Sequence, residues 1–419
     1  MNRRVVITGL GVVSSLSCQV EDLFRRLVAG ESGIHHIKLF DTARFKVKIG
    51  GDVWDWDPPE TYIDRREVKR IDRFSQFALV AATDAIRDSG LDFGQEDATK
   101  CGVILGSGIG GLNEIEEQCN KLFEKGPDRV SPFTVPKMML NAAGANISMR
   151  FGLQGINYSV ATACASANNA MGDALKAIQS GLCDVVMTGG SEAAITLMGL
   201  SGFQNMKALS MRNEEPARAS RPFDSGRDGF VLSEGAGLLV FEEYEHAKAR
   251  GAKIYCEVLG FGASADAGHI TQPDERGAGA ARAMANALQD ARLNADQIDY
   301  INAHGTSTPL GDAAETNAVK GVFGDAARKV SISSTKSQMG HSLGASGGIE
   351  LVVTVRALHD GVIPPTINLD SPDPACDLDY TPREARQRAI RVAMSNSFGF
   401  GGHNASIVVA RLGNGSPTR

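Results

Sequence analysis

A chain of 419 residues, 42% of them hydrophobic, can bury a large core and is too long for one ordinary domain, so two linked halves are the default. A net charge of −6, with 22% charged residues, forces neither a nucleic-acid nor a membrane partner. Seven scattered cysteines without a CxxC pair argue for reduced thiols in a cytoplasmic compartment, and no apolar run approaches the ~20 residues of a membrane span.

The start, Met1 to Gly9, has too short an apolar run for a signal peptide, and Gly9 and Gly11 break it. It reads instead as a strand and turn. Runs at 5–8, 103–105, 185–188 and 238–241 predict buried strands in the first half. In the second half 254–259, 298–303, 330–333 and 406–410 read the same way. Helical patterns fill 74–89, 168–179, 278–291 and 349–358, and Gly90 and Gly181 suit left-handed caps. This alternation predicts an α/β protein with largely buried sheets. The polar stretch 243–251 marks the divide, giving halves 1–250 and 251–412 and a loose tail at 413–419. No sequence repeat relates the halves.

Four segments carry the candidate chemistry. An apolar, β-branched run leads into Cys164 and a small-residue helical stretch follows, which sets the thiol at a strand-to-helix turn. Helix dipole and free amides there favour thiolate; the alternative is a buried structural cysteine. A predicted strand delivers His304 to a loop holding Thr306 and Thr308, suited to general-base or donor work. Asp312 and Glu315 read locally as a capping box for the next helix, which leaves them a supporting role at most. In the third segment Lys336 and His341 flank a turn before a helix, whose N-terminus favours neutral imidazole. The fourth, Asn396 to Asn404, is dense in glycine; it fits either half of an oxyanion hole around Phe400 or a plain hairpin.

Two further patterns compete. Gly106-x-Gly108-x-x-Gly111 follows a strand and matches the dinucleotide fingerprint, but no second strand ends in an acidic residue at the required distance. Cys164, His304 and His341 are zinc-ligand types without any local ligand spacing, so no metal is expected.

Together the segments resemble the β-ketoacyl-[acyl-carrier-protein] synthases, most closely the type II chain-elongating enzymes of fatty acid synthesis. The resemblance rests on Ala163-Cys164-Ala165-Ser166, the run from Ala303 to Thr308, Ser334-Thr335-Lys336-Ser337 with Gly340-His341, and the run from Asn396 to Gly402. Arg221 to Asp224, Arg227 to Phe230 and Pro364 to Asn368 also fit. It implies a thiolase-like fold, two similar halves stacked as α/β/α/β/α layers, and a homodimer. It implies that Cys164 carries the acyl chain as a thioester. His304 and His341 would promote malonyl decarboxylation and hold the enolate, and the amides of Cys164 and Phe400 the oxyanion. Lys336, paired with Glu315, would orient the histidine side. Thr306 and Thr308 would meet the pantetheine arm and Phe400 would gate the acyl pocket. The partner is acyl carrier protein, whose phosphopantetheine makes any other cofactor unnecessary. Gln338, Met339 and His403 depart from residues common in the family, which bears on pocket shape.

Two histidines, rather than one histidine and one asparagine, favour elongation over initiation. A polyketide-type ketosynthase with the same chemistry is the second reading. A degradative thiolase would need a second catalytic cysteine, for which Cys376 is the sole late candidate. The basic run 65–73 suggests that Arg66, Lys69 and Arg70, with Lys207, receive the acidic carrier; the alternative is a solvated helix face with intrahelical pairs.

Overall fold

The computed structural model describes residues 3–413, so the expected tail, apart from Gly413, lies outside the described residues. The first half supplies strands β1 (Val5–Ser14), β2 (Cys101–Gly106), β3 (Asn157–Val160), β4 (Val185–Glu192) and β5 (Gly235–Glu243). The second supplies β6 (Cys256–Ala265), β7 (Tyr300–Asn302), β8 (Ser331–Ser333), β9 (Val392–Gly399) and β10 (His403–Ala410). They join in one 10-stranded sheet, ordered β8-β7-β9-β10-β6-β1-β5-β4-β2-β3. A short antiparallel seam joins the halves, with Val5 facing Val258 and Ile7 facing Cys256.

Outward from that seam each half runs through its first, fifth, fourth, second and third strand. The pairing senses match too. β2 is parallel to β3 and β4, as β7 is to β8 and β9. β5 is antiparallel to β1 and β4, as β10 is to β6 and β9. The backbone thus holds the two similar halves that no sequence repeat revealed.

Five helices complete the layers: α1 (Arg73–Ser89), α2 (Ser166–Gln179), α3 (Ala278–Ala291), α4 (Pro309–Phe323) and α5 (Ser346–Asp360). α1 covers β1 and β5, and α3 covers β6 and β10. Between the halves, α2 and α5 pack on each other and on strands of both. This gives the α/β/α/β/α order. α5 is buried all round, which is why its sequence shows an apolar run rather than one stripe. Its approach to the sheet needs glycine. A Cβ on Gly348 would lie 2.2 Å from the Gly237 carbonyl oxygen, and one on Gly237 would lie 2.1 Å from the Ile349 nitrogen.

The expected strands and helices all form, with small shifts at the ends. Asp72 caps α1 by accepting from the Phe74 amide, and Gly90 ends it at φ +67°. Within the polar divide Tyr244–Ala249 is a helix capped by Glu243. Leu112–Lys125 is also a helix, and it escaped the reading because its buried residues are the polar Glu114 and Gln118. Among the described residues no helix is long and apolar enough to cross a membrane.

Candidate active site

Cys164 sits in a single turn, Ala163–Ala165, between β3 and α2. Ala163 enters that turn at φ +49°, a left-handed conformation unusual for alanine. The second half repeats the device: Leu343 at φ +47° leads the turn Leu343–Ala345 into α5. Both buried helices therefore point their starts at one place, and His341 lies just ahead of the second turn. Its Nε2 is 3.0 Å from Cys164 Sγ and its Nδ1 is 2.9 Å from Ser346 Oγ. β7 leads to His304, whose ring meets that of His341 edge-on with centroids 5.3 Å apart. The nucleophile comes from one half and both histidines from the other.

The amides of Phe400 and of Cys164 itself point at the sulfur. Phe400 occupies the β9–β10 hairpin connection, so the segment is a hairpin whose Phe400 amide faces the sulfur. The hairpin stays tethered: Gly401 donates its amide to the Ile270 carbonyl and Asp266 donates to that of Gly402. A cavity of about 380 Å³ opens onto Cys164, His304 and His341, with Thr306, Thr308, Phe400 and, at its rim, Lys207 in its wall. Thr306 and Thr308 hydroxyls share a hydrogen bond of 3.0 Å.

The electrostatics correct one expectation, the thiolate. Burial pushes the Cys164 thiol up to about 11, although the Phe400 amide, Lys336 and the thiol's own amide pull it down. The helix-start amide of Cys164 thus acts in the expected direction, but desolvation outweighs it and the resting group is a thiol. His341 is held neutral, in the expected direction, well below its ordinary range, by burial first and by Lys336 second. His304 is lowered in the same way, with His341 adding to the effect of Lys336. Its Nδ1 is buried without a hydrogen-bond partner.

Lys336 is buried and does not pair with Glu315. Its ammonium is bonded to Glu350, on α5, whose carboxyl burial pushes up to about 7. Glu315 instead accepts from the backbone amides of His304 and Gly305 and so fixes the histidine's loop. Asp312 accepts from the amides of Phe223 and Ser307. Neither forms a capping box; Thr308 caps α4, and both acids reach back from inside it. Gln338 and Met339 do not shape the cavity. Gln338 donates to the carbonyls of Leu27 and Glu31, and Met339 packs in the main core. His403 is exposed at the start of β10. Cys376 is buried in the core of the second half, away from the cavity lining.

Arg66, Lys69, Arg70 and Lys207 are exposed, and among the described residues none forms a salt bridge. The intrahelical pairs of the alternative reading are absent there; Glu67 pairs with Arg150. Arg70 lies over the Phe133 ring at 5.5 Å. Only Lys207 reaches the cavity.

The donor atoms of Cys164, His304 and His341 lie within 4.8 Å of one another, so the fold supplies the clustering that their spacing lacked and a soft cation could bridge them. The dinucleotide-like loop after β2 has its amides occupied from within the protein. Glu192, at the end of β4, accepts from the amides of Gly108, Ile109 and Gly110. Glu192 and Glu350 are the residues that sequence reasoning missed. A carboxylate ending an otherwise buried strand was a usable signal for Glu192. Glu350 had none, because its partner lies in a different element.

The comparisons agree with this geometry. The model for "Beta-ketoacyl synthase, N-terminal domain" matches residues 2–247, and that for the C-terminal domain matches 255–370. Curated relatives named 3-oxoacyl-[acyl-carrier-protein] synthase 2 include one from Coxiella burnetii, 48% identical over 98% of this chain and 99% of its own. Another, from Staphylococcus aureus strain COL, is 46% identical over 98% and 99%. A solved β-ketoacyl synthase from Burkholderia phymatum superposes with a TM-score of 0.90 at 36% identity, covering 98% of this chain and 100% of its own. A type II polyketide ketosynthase solved with its acyl-carrier protein gives 0.89 at 33%, covering 99% and 100%. With a thiol and two neutral histidines assembled across two like halves, and with matches along nearly its whole length, this chain belongs to the β-ketoacyl synthase family.

Proposed function

We propose that the protein is an elongating β-ketoacyl-acyl-carrier-protein synthase of fatty acid synthesis. The observation that carries this is the 3.0 Å contact between Cys164 Sγ and His341 Nε2, with His304 beside it and the Phe400 amide aimed at the sulfur. The curated relatives, at 46–48% identity, favour fatty acid elongation over the polyketide reading; the type II polyketide ketosynthase solved with its carrier stands at 33%.

The Cys164 sulfur attacks the acyl-carrier thioester while its proton passes by way of His341 Nε2 to the departing carrier sulfur, so no free imidazolium accumulates. The amides of Cys164 and Phe400 hold the tetrahedral oxyanion, each such donor being worth about 3–4 kcal/mol. The carrier's thiol leaves with the proton. Malonyl carrier then binds along Thr306 and Thr308. Its carboxylate leaves as carbon dioxide, and the electron pair moves into an enolate whose oxygen faces neutral His304 and His341. A buried cation there would have no water to balance it, whereas a neutral donor gives a hydrogen bond without a desolvated charge. The carbanion attacks the Cys164 thioester, the new carbon–carbon bond forms, and the thiolate is released and reprotonated. No metal or organic cofactor enters these steps; phosphopantetheine arrives on the carrier. A homodimer and a cytoplasmic location belong to the same reading. The test is the mass increment on Cys164 after incubation with a series of acyl carrier proteins, followed by release as the β-ketoacyl product on adding malonyl carrier. A chain that takes no acyl group from any of them is not this enzyme.

Two outcomes follow for the periphery of the site. Phe400 is partly exposed between Gly399 and Gly401, so its ring has room to move. Phe400→Ala is expected to slow single-turnover acylation of Cys164 more than carbon dioxide release, because the ring orders acyl entry while its amide remains. Equal losses would reduce the ring to packing. For the carrier, Lys69→Glu/Arg70→Glu is expected to raise the KM several-fold at low salt and less at moderate salt, since exposed charges are screened within about 10 Å at 0.1 M. A KM unchanged at both salt concentrations removes these residues from the docking surface.

A further inference from the structure

The glycine-rich loop after β2 holds a nest of amides of the kind that elsewhere cradles a phosphate. Here a side chain of the protein fills it. Glu192 Oε2 accepts from the Gly108 amide at 2.7 Å and from the Gly344 amide at 3.1 Å. Its Oε1 accepts from the Ile109 amide and the Ser107 hydroxyl, each at 3.1 Å, and from the Gly110 amide at 3.3 Å. The group is fully buried. Burial pushes it above the usual carboxylate range, and these donors oppose that. Four amides and the Ser107 hydroxyl donate to it, a set that the acceptor-only carboxylate satisfies in full.

The two loops it joins come from different halves of the chain and meet beside the nucleophile. Space between them is minimal: a Cβ on Gly344 would lie 2.4 Å from the Gly108 nitrogen and 2.7 Å from Glu192 Oε2. Each loop carries an apolar side chain forward. Ile109 and Leu343 belong to one apolar cluster with Phe203 and Phe230. Leu343, Phe203 and Phe230 line the cavity at Cys164. A carboxylate bonded to both loops therefore fixes the position of an apolar wall that an alkyl chain on Cys164 would meet.

We propose that Glu192 is a positioning residue for the condensation: by bolting the loop 107–110 to the loop 343–345, it sets the shape of the acyl-facing wall and so the enzyme's discrimination between acyl chain lengths. This rests on the condensing function proposed above. Glu192→Gln offers one acceptor oxygen where two were used and presses an NH₂ group against amide donors, so the loops part. Ser107→Ala removes a single side-chain donor and leaves every backbone amide in place.

The experiment measures single-turnover acylation of Cys164 by short- and long-chain acyl carrier proteins, together with carbon dioxide release from malonyl carrier, for the wild type and both variants. The expected result for Glu192→Gln is a short-to-long rate ratio changed about tenfold, on the scale at which a cavity wall discriminates small differences in apolar chain. Carbon dioxide release, which depends on His304 and His341, changes much less. Ser107→Ala shifts the ratio about twofold in the same direction and carries the test if the glutamine variant does not fold. A folded variant that keeps the wild-type ratio, or one that loses acylation and decarboxylation in equal proportion, overturns the role of Glu192. A wild type that fails to acylate Cys164 at all overturns the function instead, so the two failures are distinct.

Discussion

Cys164→Ala is expected to abolish condensation while the variant still releases carbon dioxide from malonyl-acyl carrier protein. Acyl transfer needs the sulfur, since the Cys164 thiol is the nucleophile in contact with His341 Nε2. Decarboxylation needs only stabilisation of enolate charge, and that charge develops beside His304 and His341, which the substitution leaves in place. Alanine also keeps the amide at position 164. His304→Ala and His341→Ala are each expected to lower carbon dioxide release by about 10²-fold, the usual scale of one positioned acid–base or oxyanion group. The loss falls on kcat more than on KM, because enolate charge is absent from the bound substrate and develops on the way to the transition state. The measurement is carbon dioxide release by each folded variant. If Cys164→Ala released none while both histidine variants released normal amounts, the division of roles would be wrong.

The second large effect concerns Lys336. Replacing it with methionine strands the Glu350 carboxylate in the core, at a cost of about 3–5 kcal/mol when one partner of a buried pair is removed. The pH dependence has a definite sign. Burial already holds Glu350 near 7, and without Lys336 it rises further. A carboxyl whose folded value lies above its unfolded one gives stability at low pH that is lost as pH rises through the folded value. Both proteins lose stability alike above about pH 4.5, where the unfolded carboxyl ionises, so the Lys336→Met deficit stays level up to about pH 7 and grows above it, where only the wild-type Glu350 ionises. Lys336→Met/Glu350→Gln, which leaves no stranded charge, should regain most of the thermal stability. It should not regain activity. Lys336 helps to keep both histidines neutral, so without it their protonation moves to higher pH, and the acid limb of the decarboxylation profile moves with it. A double variant with wild-type activity and an unmoved acid limb would make Lys336 purely structural.

The sequence by itself determined the α/β class, the buried strands and which thiol and histidines the fold would bring together. These signals are local: apolar runs bounded by glycine, a thiol at a strand-to-helix turn, a histidine at a strand end. The family resemblance rested on the same segments, and it placed the chain correctly. What lay beyond reach was decided by contacts between distant parts of the chain. The repeat of strand order in the two halves is a property of backbone pairing, and sequences without visible likeness adopt it. Lys336 took Glu350 rather than Glu315 because α5 runs behind the histidine loops, whereas Glu315 on α4 was already engaged by the amides of His304 and Gly305. The resting thiol followed the same logic. A helix start favours thiolate locally, but the ionisation of Cys164 is governed by how completely two halves of the chain close over it, and desolvation is a property of the assembled fold.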